Sequence, residues 1–176
     1  MADAFRILEP TFAAGEARFA YELEGLRFTE TLRFPAGWNP DRPAGLAFRK
    51  VLDLTAIVLG TSYFKLKAPF VIDARPMLLT AAERAFAIDV YENGLGEFYA
   101  RNNLERFGRL SIEAHDDDRI MPAPVLRARA LVPIGGGKDS LVSVSLLEEA
   151  SADFVPYAVN PKGPILTSIE RIGRTP

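Results

Sequence analysis

The sequence predicts an α+β region of antiparallel strands and two helices, followed by the start of an α/β domain. Three observations carry that prediction. Apolar residues alternate with polar ones over the first forty positions, and the middle of the chain changes to a spacing of three and four. Near the end, "LVPIGGGKDSLVSVSLLEE" (Leu131 to Glu149) takes an apolar strand through three glycines into a helix.

In the first region, Phe5 and Ile7, then Phe19, Tyr21 and Leu23, then Leu26, Phe28, Leu32 and Phe34 read as short strands with one apolar face. Gly15 and Gly25 fall at the turns between them, which predicts an antiparallel meander or hairpin pair. Ala47, Val51, Leu54 and Val58 then mark one face of a helix, with Gly60 as its stop. A second helix opens at Thr80, where Glu83 completes a capping box. It carries Ala81, Ala85, Ile88, Tyr91, Leu95 and Phe98 onward through Gly94 and Gly96. Between the helices, "FVIDA" reads as one more strand.

"HDDDRIMPAPV" (His115 to Val125) combines a charge run with two prolines, as linkers do. It predicts a first domain over residues 1–114, a linker over 115–128 and a second domain over 129–176. His115 beside three aspartates raises a metal site, but one histidine without fixed partners specifies no geometry, and a solvated loop is the simpler reading. The second domain reads as strand Arg129 to Ile134, glycine loop, helix Asp139 to about Ala150, and strand Phe154 to Val159. A last helix from about Ile165 to Ile172 places Ile165, Ile169 and Ile172 on one face.

Composition limits the function. The 176 residues are 48% hydrophobic and 25% charged with a net charge of −2, as in a protein with a real core and no basic face for nucleic acid. There is no cysteine, which removes thiolate chemistry and fits a reducing cytoplasm. "MADAFRILEP" has no secretory character, and the longest apolar stretch, Val51 to Leu59, is far short of the roughly 20 residues a spanning helix needs. The expectation is a cytoplasmic protein with neither nucleic-acid nor membrane partners.

The glycine stretch carries the chemistry. Where a strand delivers the chain to a helix, unpaired N–H groups face one way, and glycines let that backbone approach an anion closely. Gly135, Gly136 and Gly137 form such a nest, and Ser140 adds a hydroxyl. Asp139 is an anion, so it suits a cap or a Mg²⁺ ion bound to the phosphate. The Walker loop is excluded, because Lys138 is followed by Asp139 and Val132 replaces the first glycine. The dinucleotide fingerprint fails at Ser140.

"GGGKDS" resembles the Ser-Gly-Gly-x-Asp-Ser signature of the PP-loop ATP pyrophosphatases, with Gly135 in place of serine. Read with "VPIGGGKDSLVS", "TSYFKLKAP" and "YENGLGEFYARNNL", the chain resembles the UDP-N-acetyl-α-D-muramoyl-L-alanyl-L-glutamate epimerase family. The resemblance implies that the second domain starts a PP-loop fold similar to the adenine nucleotide α-hydrolases. It implies ATP and Mg²⁺ as cofactors and the UDP-MurNAc dipeptide as substrate, whose terminal L-glutamate is inverted after adenylation of its carboxylate. By match to the signature, Gly135, Gly136, Gly137, Asp139 and Ser140 would hold the ATP phosphates, with Asp139 also a candidate for the metal. Lys138, at the variable position, would add charge. Asn160, just past the second strand at the carboxyl edge of the sheet, is the candidate adenosine contact.

The proton-transferring base stays open. Tyr63, Lys65, Glu97 and Arg101 sit in family-resembling segments and are candidates for substrate contact. Their plainer readings are a core aromatic for Tyr63, a solvated edge for Lys65 with Lys67, and an i,i+4 helix pair for Glu97 with Arg101. A PP-loop domain has about five parallel strands and this chain supplies two. Three readings follow: part of an epimerase whose remainder is a complementary chain or a missing C-terminal portion, a non-catalytic binding module, or another adenylating enzyme for amidation or nucleobase modification.

Overall fold

The computed structural model describes residues 4–34, 45–119 and 128–173. Contacts divide the chain into a unit over 1–121 and a unit over 122–176.

The N-terminal unit is α+β. β1 (Phe5–Ile7) and β2 (Thr11–Ala13) lie end to end along one edge of β3 (Glu16–Leu23), both antiparallel to it. β4 (Leu26–Arg33) pairs with the other edge of β3 over all eight residues without a bulge. The predicted turns are present: Ala14–Gly15 and Glu24–Gly25 all have positive φ, the geometry of a hairpin turn that matches strand twist.

Beyond the hairpins the sheet is mixed rather than a simple meander. β5 (Val71–Leu79) runs parallel to β1, and β6 (Ser111–Asp116) runs parallel to β5. Such pairings need crossovers. α1 (Gly45–Phe64) precedes β5, while α2 (Ala81–Glu92) and α3 (Gly96–Asn102) connect β5 to β6.

α1 packs on β1 and β3, and α2 packs on β5, β6 and α1. Phe5, Ile7, Phe19, Tyr21 and Leu23 fill the core between sheet and helices, as the period-two pattern requires. Buried tyrosines satisfy their hydroxyls on helix carbonyls: Tyr21 donates to Ala56 O at 3.0 Å and Tyr91 to Ile57 O at 3.0 Å.

Three sequence expectations are corrected. α1 buries Leu52, Ala56, Ile57 and Phe64, while Val51 and Val58 of the expected face are exposed. Apolar residues surround this helix almost completely, so spacing alone selects no stripe. Gly60 does not stop α1, which continues to Phe64, because the missing side chain makes room for Tyr91, Phe5 and Tyr21. The second predicted helix is broken at Asn93–Leu95 into α2 and α3. A further difference lies at the expected linker, for His115 and Asp116 belong to β6, and residues 120–127 fall outside the described residues.

The C-terminal unit is a β-α-β-α arrangement: β7 (Ala130–Pro133), α4 (Lys138–Glu149), β8 (Phe154–Tyr157) and α5 (Pro164–Ile172). β7 and β8 pair in parallel from Ala130 opposite Phe154 to Pro133 opposite Tyr157. Val132, Ile134, Val144 and Phe154 form its core, with Ile165, Ile169 and Ile172 packed against it on the predicted face of α5.

Candidate phosphate-binding loop

Parallel pairing of β7 and β8 puts both strand ends, and the loops that follow, at one edge. Gly135, Gly136 and Gly137 follow β7, and Asn160 follows β8 in left-handed backbone with φ 45°. This is the edge where open α/β sheets bind ligands.

Gly136 has φ 79°, and a Cβ there would stand 2.9 Å from the Ile165 backbone nitrogen and 3.1 Å from the Pro164 carbonyl carbon. The loop therefore rests on the first turn of α5 through bare backbone. Gly135 and Gly137 face open space. Of the three glycines, Gly136 alone is fixed by both conformation and packing.

Two helix N-termini meet here, and neither is closed by a side chain. α4 has Gly137 at its N-cap and α5 has Gly163, each without a side-chain capping bond. The first N–H groups of α4 have no partner inside the helix and carry its positive dipole end. α2 behaves differently, since its Thr80–Glu83 capping box closes its N-terminus.

Lys138 and Asp139 are exposed in the first turn of α4. The Ser140 hydroxyl donates to Gly137 O at 2.8 Å, which holds the turn. No group of three or more His, Asp or Glu side chains that could hold a metal ion is present among the described residues. One exposed carboxylate beside a glycine turn is the kind of donor that would suit Mg²⁺, which is commonly held by one or two carboxylates together with substrate phosphates.

The candidate substrate residues lie in the N-terminal unit and engage local partners. Tyr63 stacks on Phe28 at 4.7 Å and donates its hydroxyl to Glu30, a bond that with burial pushes its pKa up to about 12. Lys65 is exposed, and Lys67 pairs with Glu24 at 3.0 Å. Arg101 donates to Glu97 at 2.8 Å across one helical turn, with both side chains open to solvent.

A buried charge cluster escaped the sequence reading. Lys50 on α1 donates to Asp117 at 2.7 Å, to Glu83 at 2.9 Å and to Leu78 O. The Arg119 guanidinium grips the same Asp117 through two hydrogen bonds, at 2.6 and 2.9 Å, and its backbone N–H adds a third at 3.2 Å. These bonds, from Arg119 first and Lys50 second, hold the Asp117 carboxyl well below the usual carboxylate range. The sequence signals were present but misleading: Asp117 stood in an apparently solvated charge run, and Lys50 in an apolar helix.

Asp117 also borders a cleft of about 740 Å³ along α2, lined by Arg84, Asp89, Glu92 and Asp116 among others. A second groove, about 780 Å³, crosses the open face of the sheet. Its Arg6, Arg27 and Arg75 pair with Glu22, Asp73 and Glu113, which neutralises them as anion sites.

Fold and loop together define an α+β domain followed by a β-α-β unit with a glycine-rich turn at an uncapped helix N-terminus. The chain belongs to the MurL N-terminal domain family, whose profile matches residues 1–176. It is 37% identical over 172 residues to a UDP-N-acetyl-α-D-muramoyl-L-alanyl-L-glutamate epimerase from a Micromonospora species, covering 93% of this chain and 38% of that protein. Proteins of the same name from Salinispora tropica and Xanthomonas oryzae pv. oryzae are 34% and 35% identical, each match covering 90% of this chain and 36% of the relative. The chain thus spans little more than a third of the length of these curated relatives. No solved structure matches.

Among the described residues, no helix is long and apolar enough to cross a membrane.

Proposed function

We propose that this chain is the N-terminal part of an ATP- and Mg²⁺-dependent epimerase that converts the terminal L-glutamate of UDP-MurNAc-L-Ala-L-Glu to D-glutamate. The glycine loop between two uncapped helix N-termini, in a chain whose relatives carry that epimerase name, is the observation that supports it.

The chemistry explains the need for a phosphate loop. Removing a proton beside a carboxylate would build a second negative charge next to the first. Adenylating the carboxylate removes that charge, and the α-proton can then leave to a base and return on the other face before hydrolysis restores the acid. In this reading, Gly136, Gly137 and the first N–H groups of α4 hold the phosphates. Lys138 would add positive charge, Asp139 would hold Mg²⁺, and Asn160 would contact the nucleoside. Gly135 in place of serine leaves the backbone nest intact. Because the chain spans 36–38% of its relatives, the full reaction is assigned to this part together with the remaining portion or a complementary chain.

The test is hydrogen exchange on the chain with and without ATP–Mg²⁺, followed by assay of pyrophosphate release and of D-glutamate in the UDP-MurNAc dipeptide. Protection centred on residues 135–140, strengthened by Mg²⁺, is expected. No protection at any ATP concentration would sink the phosphate-loop reading. Release of pyrophosphate with a carboxylate and ammonia, or with a nucleobase, and none with the dipeptide, would redirect it to another adenylating reaction.

A further inference from the structure

The two long edges of the N-terminal sheet are treated differently. On β6, Ser111 N–H bonds Phe70 O at 2.9 Å, so odd-numbered residues of this strand face β5 and even-numbered ones face outward. Arg84 covers that outer edge, donating to Ile112 O at 3.1 Å and to Ala114 O at 3.2 Å. Exposed edges invite pairing with another strand, and covering them is how proteins usually prevent it.

β4, the opposite edge, has no such cover among the described residues. Among the described residues it pairs with β3 alone, and it contains no proline, lysine or bulge over its eight residues. Phe34 N–H bonds Gly15 O at 2.9 Å, continuing the β3–β4 ladder, so even-numbered residues of β4 face β3. The N–H and C=O groups of Arg27, Thr29, Thr31 and Arg33 therefore point outward. Leu26 and Leu32, at the two ends of the strand and on its helix-facing side, remain 51% and 36% exposed.

The geometry points to β4 as a self-pairing strand that joins two copies of this chain in one continuous antiparallel sheet. The outward groups belong to odd positions, so a two-fold pairing must match odd with odd. Centring the axis on Glu30 would set Glu30 against Glu30 and Arg27 against Arg33, like charges directly opposite. Centring it on Thr29 sets Leu26 of one copy against Leu32 of the other, Arg27 against Thr31 and Phe28 against Glu30. No like charges then face each other. Arg27 and Arg33 are already paired within the sheet, to Glu22 at 3.7 Å and to Glu16 at 2.8 Å. Both exposed leucines become covered. The Thr29 register is the one that sets the two exposed leucines against each other, and it does so without a like-charge contact, so a second copy of the chain supplies its complement.

Three variants of the 176-residue chain test this. Sedimentation of the parent should give twice the single-chain mass at high concentration and dissociation on dilution. Thr29→Pro removes an N–H that points away from β3, as edge strands tolerate, and Thr29→Lys sets two positive charges at the axis; both should be monomeric with unchanged circular dichroism. The chain has no native cysteine, so Leu26→Cys with Leu32→Cys should form an intermolecular disulfide on mild oxidation. That pair falls at a non-hydrogen-bonded position with Cα atoms about 4.5 Å apart. Neither single variant should cross-link in that way. A parent that stays monomeric throughout, a folded Thr29→Lys protein that still dimerises, or a double-cysteine chain that fails to cross-link would each overturn the proposal.

Discussion

Gly60 and Gly136 are needed for different reasons. In α1, a Cβ on Gly60 would lie 2.6 Å from the Tyr91 hydroxyl and 3.1 Å from both Phe5 and Tyr21. At an exposed helix position Gly→Ala would gain about 1 kcal/mol in propensity. Here overpacking outweighs that gain, and Gly60→Ala should cost about 1–3 kcal/mol, read as a lower urea midpoint. At Gly136, positive φ and the Ile165 backbone combine, so Gly136→Ala should cost more than about 1 kcal/mol and weaken ATP–Mg²⁺ binding. Gly135→Ala meets open space and is the matched control. Equal losses for Gly135→Ala and Gly136→Ala would contradict this account. Gly136 was legible in the sequence because glycines beside Lys-Asp-Ser spell a strand-to-helix turn. Gly60 was not, because a helix-interior glycine looks like a stop unless its distant neighbours are known.

At the scale of elements, the capping box was readable because its two partners lie three residues apart. The Thr80 hydroxyl accepts from Glu83 N–H at 3.2 Å and the Glu83 carboxylate from Thr80 N–H at 2.8 Å. Thr80→Ala should cost about 0.5–2 kcal/mol. Lys50 then extends this local motif over 33 residues to α1 and on to Asp117, a connection no local pattern contains. Removing the cation takes one partner from each carboxylate, while Asp117 keeps Arg119 and Glu83 keeps the Thr80 N–H, so Lys50→Met should destabilise the N-terminal unit by about 1–3 kcal/mol. The acid response has a defined sign. Asp117 is depressed below its ordinary value of 3.8, so its contribution is present above that pH and is lost as pH falls below it. Urea midpoints of the parent should drop between pH 5 and pH 3, and Asp117→Asn should drop less. Parallel curves for the two proteins would remove Asp117 from the explanation.

For the whole molecule, the two units differ in how much core supports them. Among the described residues, the larger cluster has 20 buried hydrophobic residues and the smaller has four. Burial of apolar area is the main favourable term in folding, and small domains bury proportionately less of it. Two parallel strands and two helices cannot cover both faces of a sheet. Leu131, Val142 and Leu146 are indeed exposed in the C-terminal unit. Amides of β7, α4 and β8 should therefore exchange with solvent before those of β3 and β5, and at a lower urea concentration. The glycine loop lies in the unit with the smaller core, which ties the stability of that unit to the proposed ligand. ATP–Mg²⁺ at 100 times its Kd would add about 2.7 kcal/mol to whichever unit holds it. Exchange in β7 and α4 should then slow about 100-fold while β3 and β5 keep their rates. Uniform slowing across both units would mean that the nucleotide acts on the chain as a single cooperative body, and equal slowing confined to β3 and β5 would place its site outside the glycine loop.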